Sequence, residues 1–147
     1  MSTRTIPATA KLLGYAGVLP FGALALLHVF GSGPVEAHAE RAFLLYGGII
    51  LSFLGGIRWG VATGRDRFRG IAPYLSVLPS LWAFFFLLWP DPRVALWGLL
   101  AGFVVMGLAD RFQPAAGGAD WMIVLRSRLT SAVVACFGVL IVSAYLV

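Results

Sequence analysis

The strongest constraint on this chain is the recurrence of apolar runs long enough to cross a lipid bilayer. A hydrocarbon core of about 30 Å takes roughly 20 residues of helix. Runs of that order stand at Leu12–Phe30, Ala42–Ala62, Ile71–Trp89, Val94–Ala109 and Leu129–Val147. In lipid every backbone N–H and C=O must find its partner inside the spanning structure, so such continuous runs specify helices. Composition agrees: 60% of the 147 residues are hydrophobic and 12% are charged, against about 25% charged in a soluble domain. The expected fold is therefore all-α, a polytopic membrane protein with a five-transmembrane-helix bundle filling one domain over residues 1–147. The longest connection left between the runs is Asp110–Arg128, which leaves no room for a soluble domain.

The net charge of +5 excludes little until the basic residues are placed. They fall between apolar runs and not along one face, so the partner they imply is the lipid headgroup layer and not nucleic acid. With five spans, one side carries Arg4, Lys11, Arg58, Arg65, Arg67, Arg69, Arg111, Arg126 and Arg128, and the other only Arg41 and Arg93. Basic residues near helix ends stay on the cytoplasmic side, which predicts a cytoplasmic N-terminus and an outer, periplasmic C-terminus. Abundant Arg, Ala and Gly fit the codon usage of a GC-rich bacterium, hence a bacterial inner membrane. The first run is too long for a signal-peptide core of about 7–15 residues, so it is expected to remain as a span. The single Cys136 has no partner for an intrachain disulfide.

Two prolines interrupt the apolar runs at matching places. Tyr15-Ala-Gly-Val-Leu-Pro20 and Tyr74-Leu-Ser-Val-Leu-Pro79 agree at four of six positions, and each proline is the ninth residue of its span. This suggests a duplicated hairpin, two parallel helical hairpins plus a fifth helix. Each proline removes a backbone donor and crowds the carbonyl four residues earlier, so a bend or local unwinding is expected there. Interrupted helices at corresponding positions are the sequence mark of a transporter substrate site. Pro20 and Pro79, with the hydroxyls of Ser76 and Ser80, are the candidates for one.

Arg58 is the one unambiguous charge inside a span, about one turn from its cytoplasmic end, and an intramembrane charge needs a partner or a route to the headgroups. Asp110 at the end of the fourth run is its natural ion-pair partner, with Trp59 and Arg111 beside them. Gly48, Ser52, Gly56 and Gly60 recur at four-residue spacing, which is expected to place all four along one helical face, and Gly98 and Gly102 repeat it in the fourth run. Such small residues let helix backbones approach closely. Whether they pack this chain, a second copy in a homo-oligomer or another membrane protein is open. His28, Glu36, His38 and Glu40 lie at one side without metal-ligand spacing; Glu36 after Pro34 suits the start of a helix. No metal and no cofactor is expected. Arg58, Asp110 and Arg111 form the nearest approach to a polar cluster, and they lack a nucleophile, so no catalytic residue is assigned and the chain is expected not to be an enzyme.

The stretch Tyr46-Gly-Gly-Ile-Ile-Leu-Ser-Phe-Leu-Gly-Gly-Ile-Arg-Trp-Gly60, with Ser76-Val-Leu-Pro-Ser80 and Trp121-Met-Ile-Val-Leu-Arg-Ser-Arg-Leu-Thr130, resembles an uncharacterised membrane protein family. It is the bacterial and mitochondrial family of the transmembrane protein 69 type, a domain of unknown function (3429). The likeness runs from about Gly14 to the last span, and Leu51–Gly60 is its most specific part. It implies a small multi-span membrane protein and supplies neither a reaction nor catalytic residues. The expected role is helix packing, interaction or assembly in the inner membrane. The alternative is a small oligomeric transporter with its site at Pro20 and Pro79.

Overall fold

A computed structural model of the chain describes residues 5–63, 72–112 and 120–146. Arg4, Arg65, Arg67 and Arg69, counted above in the basic margin, lie outside the described residues. Five helices follow one another: α1 (Ala8–Phe30), α2 (Pro34–Thr63), α3 (Ala72–Leu87), α4 (Pro92–Phe112) and α5 (Asp120–Leu146). Among the described residues there is no strand. By length and hydropathy, α1, α2, α4 and α5 can each cross a membrane. The 16 residues of α3 are fewer, spanning about 24 Å at 1.5 Å per residue.

Helices α1, α2, α4 and α5 begin before their apolar runs, for local reasons at α2 and α4. Pro34, whose fixed φ suits a first turn, and Glu36, which complements the N-terminal dipole, start α2 eight residues before the run at Ala42. Helix α4 opens on Asp91-Pro92-Arg93, where the Asp91 carboxylate accepts a hydrogen bond from the Arg93 N–H at 2.9 Å. This is an N-cap followed by proline at the first helical position. Helices α1 and α2 are joined by Gly31–Gly33, and Gly33 takes φ +56°, a conformation that costs glycine little and other residues more. Helices α1 and α3 continue through Pro20 and Pro79. The expected unwinding is therefore absent. Near the first proline, the Tyr46 hydroxyl donates to the Gly17 carbonyl at 2.9 Å, one residue beyond the Ala16 carbonyl that Pro20 deprives of its donor. This bond ties α2 to α1 beside the proline.

Contacts give the direction of every helix. Phe21 meets Phe43 and Gly17 meets Tyr46, so α1 and α2 are antiparallel. Gly48 lies at Leu87 and Gly55 at Ser76, so α3 runs back along α2. Gly98 lies at Phe86 and Gly102 at Trp82, reversing direction again into α4. Gly107 lies at Thr130 and Asp110 at Arg126, so α5 runs antiparallel to α4. Helices α2 and α4 are parallel neighbours, joined at Leu51 and Gly102 and again at Arg58 and Asp110. The result is an up-down bundle in which the start of α1, the end of α2, the start of α3, the end of α4 and the start of α5 share one end.

Four helices converge on an aromatic centre. Phe21 of α1, Phe43 of α2, Phe103 of α4 and Phe137 of α5 are buried. Their ring centroids stand 5.2 Å apart for Phe21 and Phe43, 4.8 Å for Phe43 and Phe137, and 5.6 Å for Phe103 and Phe137. The first two pairs meet edge to face, the arrangement the ring quadrupole favours. Helix α3 has no part in this cluster. It lies against α2 and α4 through small residues: Gly48 faces Ala83 and Leu87, Gly55 faces Pro79 and the Ser76 carbonyl, and Gly98 and Gly102 receive Phe86 and Trp82. Polar contacts reinforce the seam, with the Ser52 and Ser80 hydroxyls 2.7 Å apart and the Trp82 indole N–H donating to the Gly98 carbonyl at 2.7 Å.

The four-residue spacing of Gly48, Ser52, Gly56 and Gly60 does not form one face. A Cβ at Gly56 or Gly60 would meet nothing within 4 Å, whereas Gly55 is closed against α3. The cause is geometric: four residues turn the helix about 400°, so each step drifts about 40° and the stripe has rotated by about 120° at its end. The α3-facing line is Gly48, Ser52, Gly55, in steps of four and then three.

Candidate functional site

Arg58, Asp110 and Arg126 come together at the end of the bundle where α2 and α4 finish and α5 begins. The parallel register of α2 and α4 puts Arg58 level with Asp110. The antiparallel register of α4 and α5 brings Arg126 to the same carboxylate from the other side. Gly107 assists from the turn before Asp110: a Cβ there would stand 2.9 Å from Thr130 Cγ2, so its absence lets α4 and α5 close.

The carboxylate is divided between the two guanidinium groups. Arg58 Nη2 donates to Asp110 Oδ1 at 3.1 Å, and Arg126 Nε donates to Oδ2 at 2.6 Å. Arg126 Nη2 lies 2.6 Å from the same oxygen but makes no hydrogen bond although buried. It contributes charge without a directed contact. Arg58 is 9% and Asp110 6% exposed, and the Arg126 side chain is 12% exposed. One carboxylate thus serves two guanidinium groups, one on each oxygen.

The sequence-predicted residues divide between distinct places. Arg58 and Asp110 pair as expected. Trp59 and Arg111, each one residue from a member of the pair, are exposed. Ser76 and Pro79 are buried where α3 meets α2, and Ser80 pairs with Ser52. Pro20 is half-buried on α1, a helix that packs on α2 and α5, while α3 packs on α2 and α4. These principal pairings do not bring the two prolines to one point. Gly48, Ser52, Gly98 and Gly102 lie in the packing seam of α3; Gly56 and Gly60 face outward. Among the described residues, no three His, Cys, Asp or Glu side chains gather where one metal ion could sit.

Arg126 was not singled out by the sequence reading, because Trp121–Arg128 carries two charges and drops out of any apolar run. A signal was present. Read back from the buried Phe137 and Val133, helical spacing passes through Thr130 and reaches Arg126 on the same face.

Beside the triad lies an elongated apolar cavity of about 260 Å³ between α2, α3 and α4, lined by Leu51, Arg58, Pro79, Trp82, Val105 and Ala109 among others. Val105 is 60% exposed, so the cavity opens sideways, toward the surroundings of the bundle.

Apolar helices of spanning length, alternating in direction and tied by an internal charge triad, define a multi-pass helical membrane protein. Comparison with known families gives the same answer with a finer label. The model of the family described as "Protein of unknown function (DUF3429)" matches residues 6–142, and the chain belongs to that family. It is also 50% identical over 58 residues to transmembrane protein 69 of Xenopus tropicalis. That stretch is 38% of this chain and 22% of the frog protein, so the chain matches only a minor part of its relative. No solved structure gives a significant match.

Proposed function

We propose that this is a non-enzymatic assembly protein of a bacterial inner membrane, with its N-terminus in the cytoplasm, that associates through α2 with a second copy of itself. The observation that carries the reading is the contrast among glycines of one helix. Gly48 and Gly55 are filled by α3, while Gly56 and Gly60 leave open space at the surface of the same helix. Two small residues four apart on a lipid-facing surface allow close contact of two helices, and like helices satisfy that geometry symmetrically. The interior polar groups support the same reading, since Arg58, Asp110, Arg126, Ser52, Ser80 and Trp82 are engaged in joining helices of this chain. The division of basic residues, nine against two, supports the orientation.

The test is oxidative cross-linking in native membranes. In a Cys136→Ala background, Gly60→Cys should form a disulfide-linked dimer, and adding Gly56→Leu should abolish it without lowering the amount of folded protein. A monomer under oxidation in the first variant, or a dimer indifferent to Gly56→Leu, would overturn the proposal.

A further inference from the structure

We infer that a second cavity, at the opposite end of the bundle between the start of α2 and the turn from α3 to α4, holds one phosphatidylethanolamine, its ammonium at Glu40, its phosphate at Arg41 and the upper part of an acyl chain on the apolar floor. This goes beyond the assembly reading and does not depend on it.

Shape is the first argument. The cavity has a volume of about 470 Å³ and is lined by Glu40, Arg41, Leu44, Leu45, Leu87 and Trp89 among others. Its depth follows from the chain. Glu40 and Arg41 immediately precede the apolar run that begins at Ala42, and Trp89, half exposed, lies in the connection after α3. Tryptophan rings settle at the headgroup level of a bilayer, so the charged mouth of the cavity stands among the headgroups. One turn further along α2, Leu44 is buried and Leu45 is 48% exposed. The floor is therefore apolar and opens sideways to lipid. A charged mouth over an apolar floor fits an amphiphile anchored at the interface.

Charge is the second argument, and it selects the headgroup. Successive residues of a helix point about 100° apart, so Glu40 and Arg41 do not face each other. Neither makes an ion pair or a side-chain hydrogen bond with another described residue. The other charged or titratable side chains of this end, Glu36, His38, Asp91 and Arg93, do not line the cavity. The cavity thus offers one acid and one base to a guest that carries the opposite pair. A primary ammonium donates up to three hydrogen bonds, and its bond to a carboxylate is charge-assisted. A guanidinium matches phosphate oxygens two at a time. Phosphatidylethanolamine carries both groups on one headgroup. Phosphatidylcholine lacks the N–H donors, and phosphatidylglycerol brings a phosphate to the Glu40 carboxylate with no cation between them. The site therefore ranks phosphatidylethanolamine above both.

The experiment uses the full chain purified in detergent and given equal amounts of the three lipids with identical acyl chains, followed by native mass spectrometry. The wild-type protein should retain one phosphatidylethanolamine per chain, favoured about tenfold over either rival, the ratio that corresponds to about 1.4 kcal/mol. Glu40→Gln should reduce the preference over phosphatidylglycerol to about twofold or less. Ala37→Trp, which fills the cavity from an exposed position at its mouth, should lose retention of all three lipids while its thermal unfolding stays within a few degrees. Glycerophosphoethanolamine, the same headgroup without acyl chains, should not displace the lipid at equal concentration. Equal retention of the three lipids by the wild-type chain would overturn the inference, as would an unchanged preference in Glu40→Gln, full retention by Ala37→Trp or displacement by the soluble headgroup.

Discussion

Replacing Asp110 should damage this protein more than replacing either of its arginines, and the ordering follows from charge. Both guanidinium groups share the Asp110 carboxylate. Asp110→Asn removes both ion pairs at once. Arg58→Gln and Arg126→Gln each remove one and leave the other. Removing one member of a buried pair costs about 3–5 kcal/mol, and Asp110→Asn breaks two pairs. The cost does not double, since Arg58 lies five residues from the end of α2 at Thr63, about 8 Å, and can redirect toward the headgroups. We expect about 3–5 kcal/mol for Asp110→Asn and about 1–2 kcal/mol for Arg58→Gln. Arg126→Gln falls between them, because its contacts to Asp110 are at 2.6 Å against 3.1 Å for Arg58. Three kcal/mol is roughly a hundredfold change in the folded-to-unfolded ratio. Reversible unfolding in mixed detergent micelles, followed by circular dichroism, resolves such differences. If Asp110→Asn proves as stable as Arg126→Gln, the triad is not held by its central carboxylate and the reasoning fails.

Adjacent glycines of α2 should respond in opposite ways to the same change. Gly55→Ala forces a methyl group onto the Ser76 backbone carbonyl, which cannot swing aside, and should cost about 1–3 kcal/mol. Gly56→Ala meets open space and should be neutral or stabilising by up to about 1 kcal/mol through helix propensity; equal effects in the unfolding assay would refute the packing described for α3. Orientation is open to direct labelling in a Cys136→Ala background. Glu36→Cys should react with an impermeant thiol reagent in intact cells and Lys11→Cys only after permeabilisation, and the reverse pattern would invert the topology.

The helices and one charged contact could be read from the sequence because both are local or nearly forced. An apolar run of spanning length has few alternatives in lipid, and Arg58 had few acids to choose from. Arg126 escaped because hydropathy treats a charge as the end of a span, whereas here the charge is neutralised by a residue of the neighbouring helix and the helix continues through it. The stripe at Gly48, Ser52, Gly56 and Gly60 misled for the opposite reason: regular spacing in the sequence drifts around a helix of 3.6 residues per turn. The aromatic centre was beyond reach, since Phe21, Phe43, Phe103 and Phe137 come from four helices and no short window contains two of them in contact. The two similar proline segments also occupy unlike settings, with Pro79 buried on Gly55 and Pro20 half-buried on α1, a distinction that arises only when α3 and α1 find different neighbours.

Chain order gives the triad a consequence for biosynthesis. Membrane helices emerge N-terminal first, so Arg58 enters with α2 well before Asp110 exists. The α2–α3 hairpin forms before the Arg58–Asp110 bridge can close, with the headgroups within reach of the guanidinium. Asp110 then arrives with α4 and closes that bridge, and Arg126 arrives last with α5 to take the second carboxylate oxygen. The same final helix delivers Phe137 to the aromatic centre. A ribosome stalled before α5 would therefore leave an incomplete bundle, with one oxygen of Asp110 and one face of the phenylalanine cluster both open at the place where α5 docks. Charge and packing reach completion in a single late step, and truncation before that step should mark the chain for degradation by exposing both defects on one side.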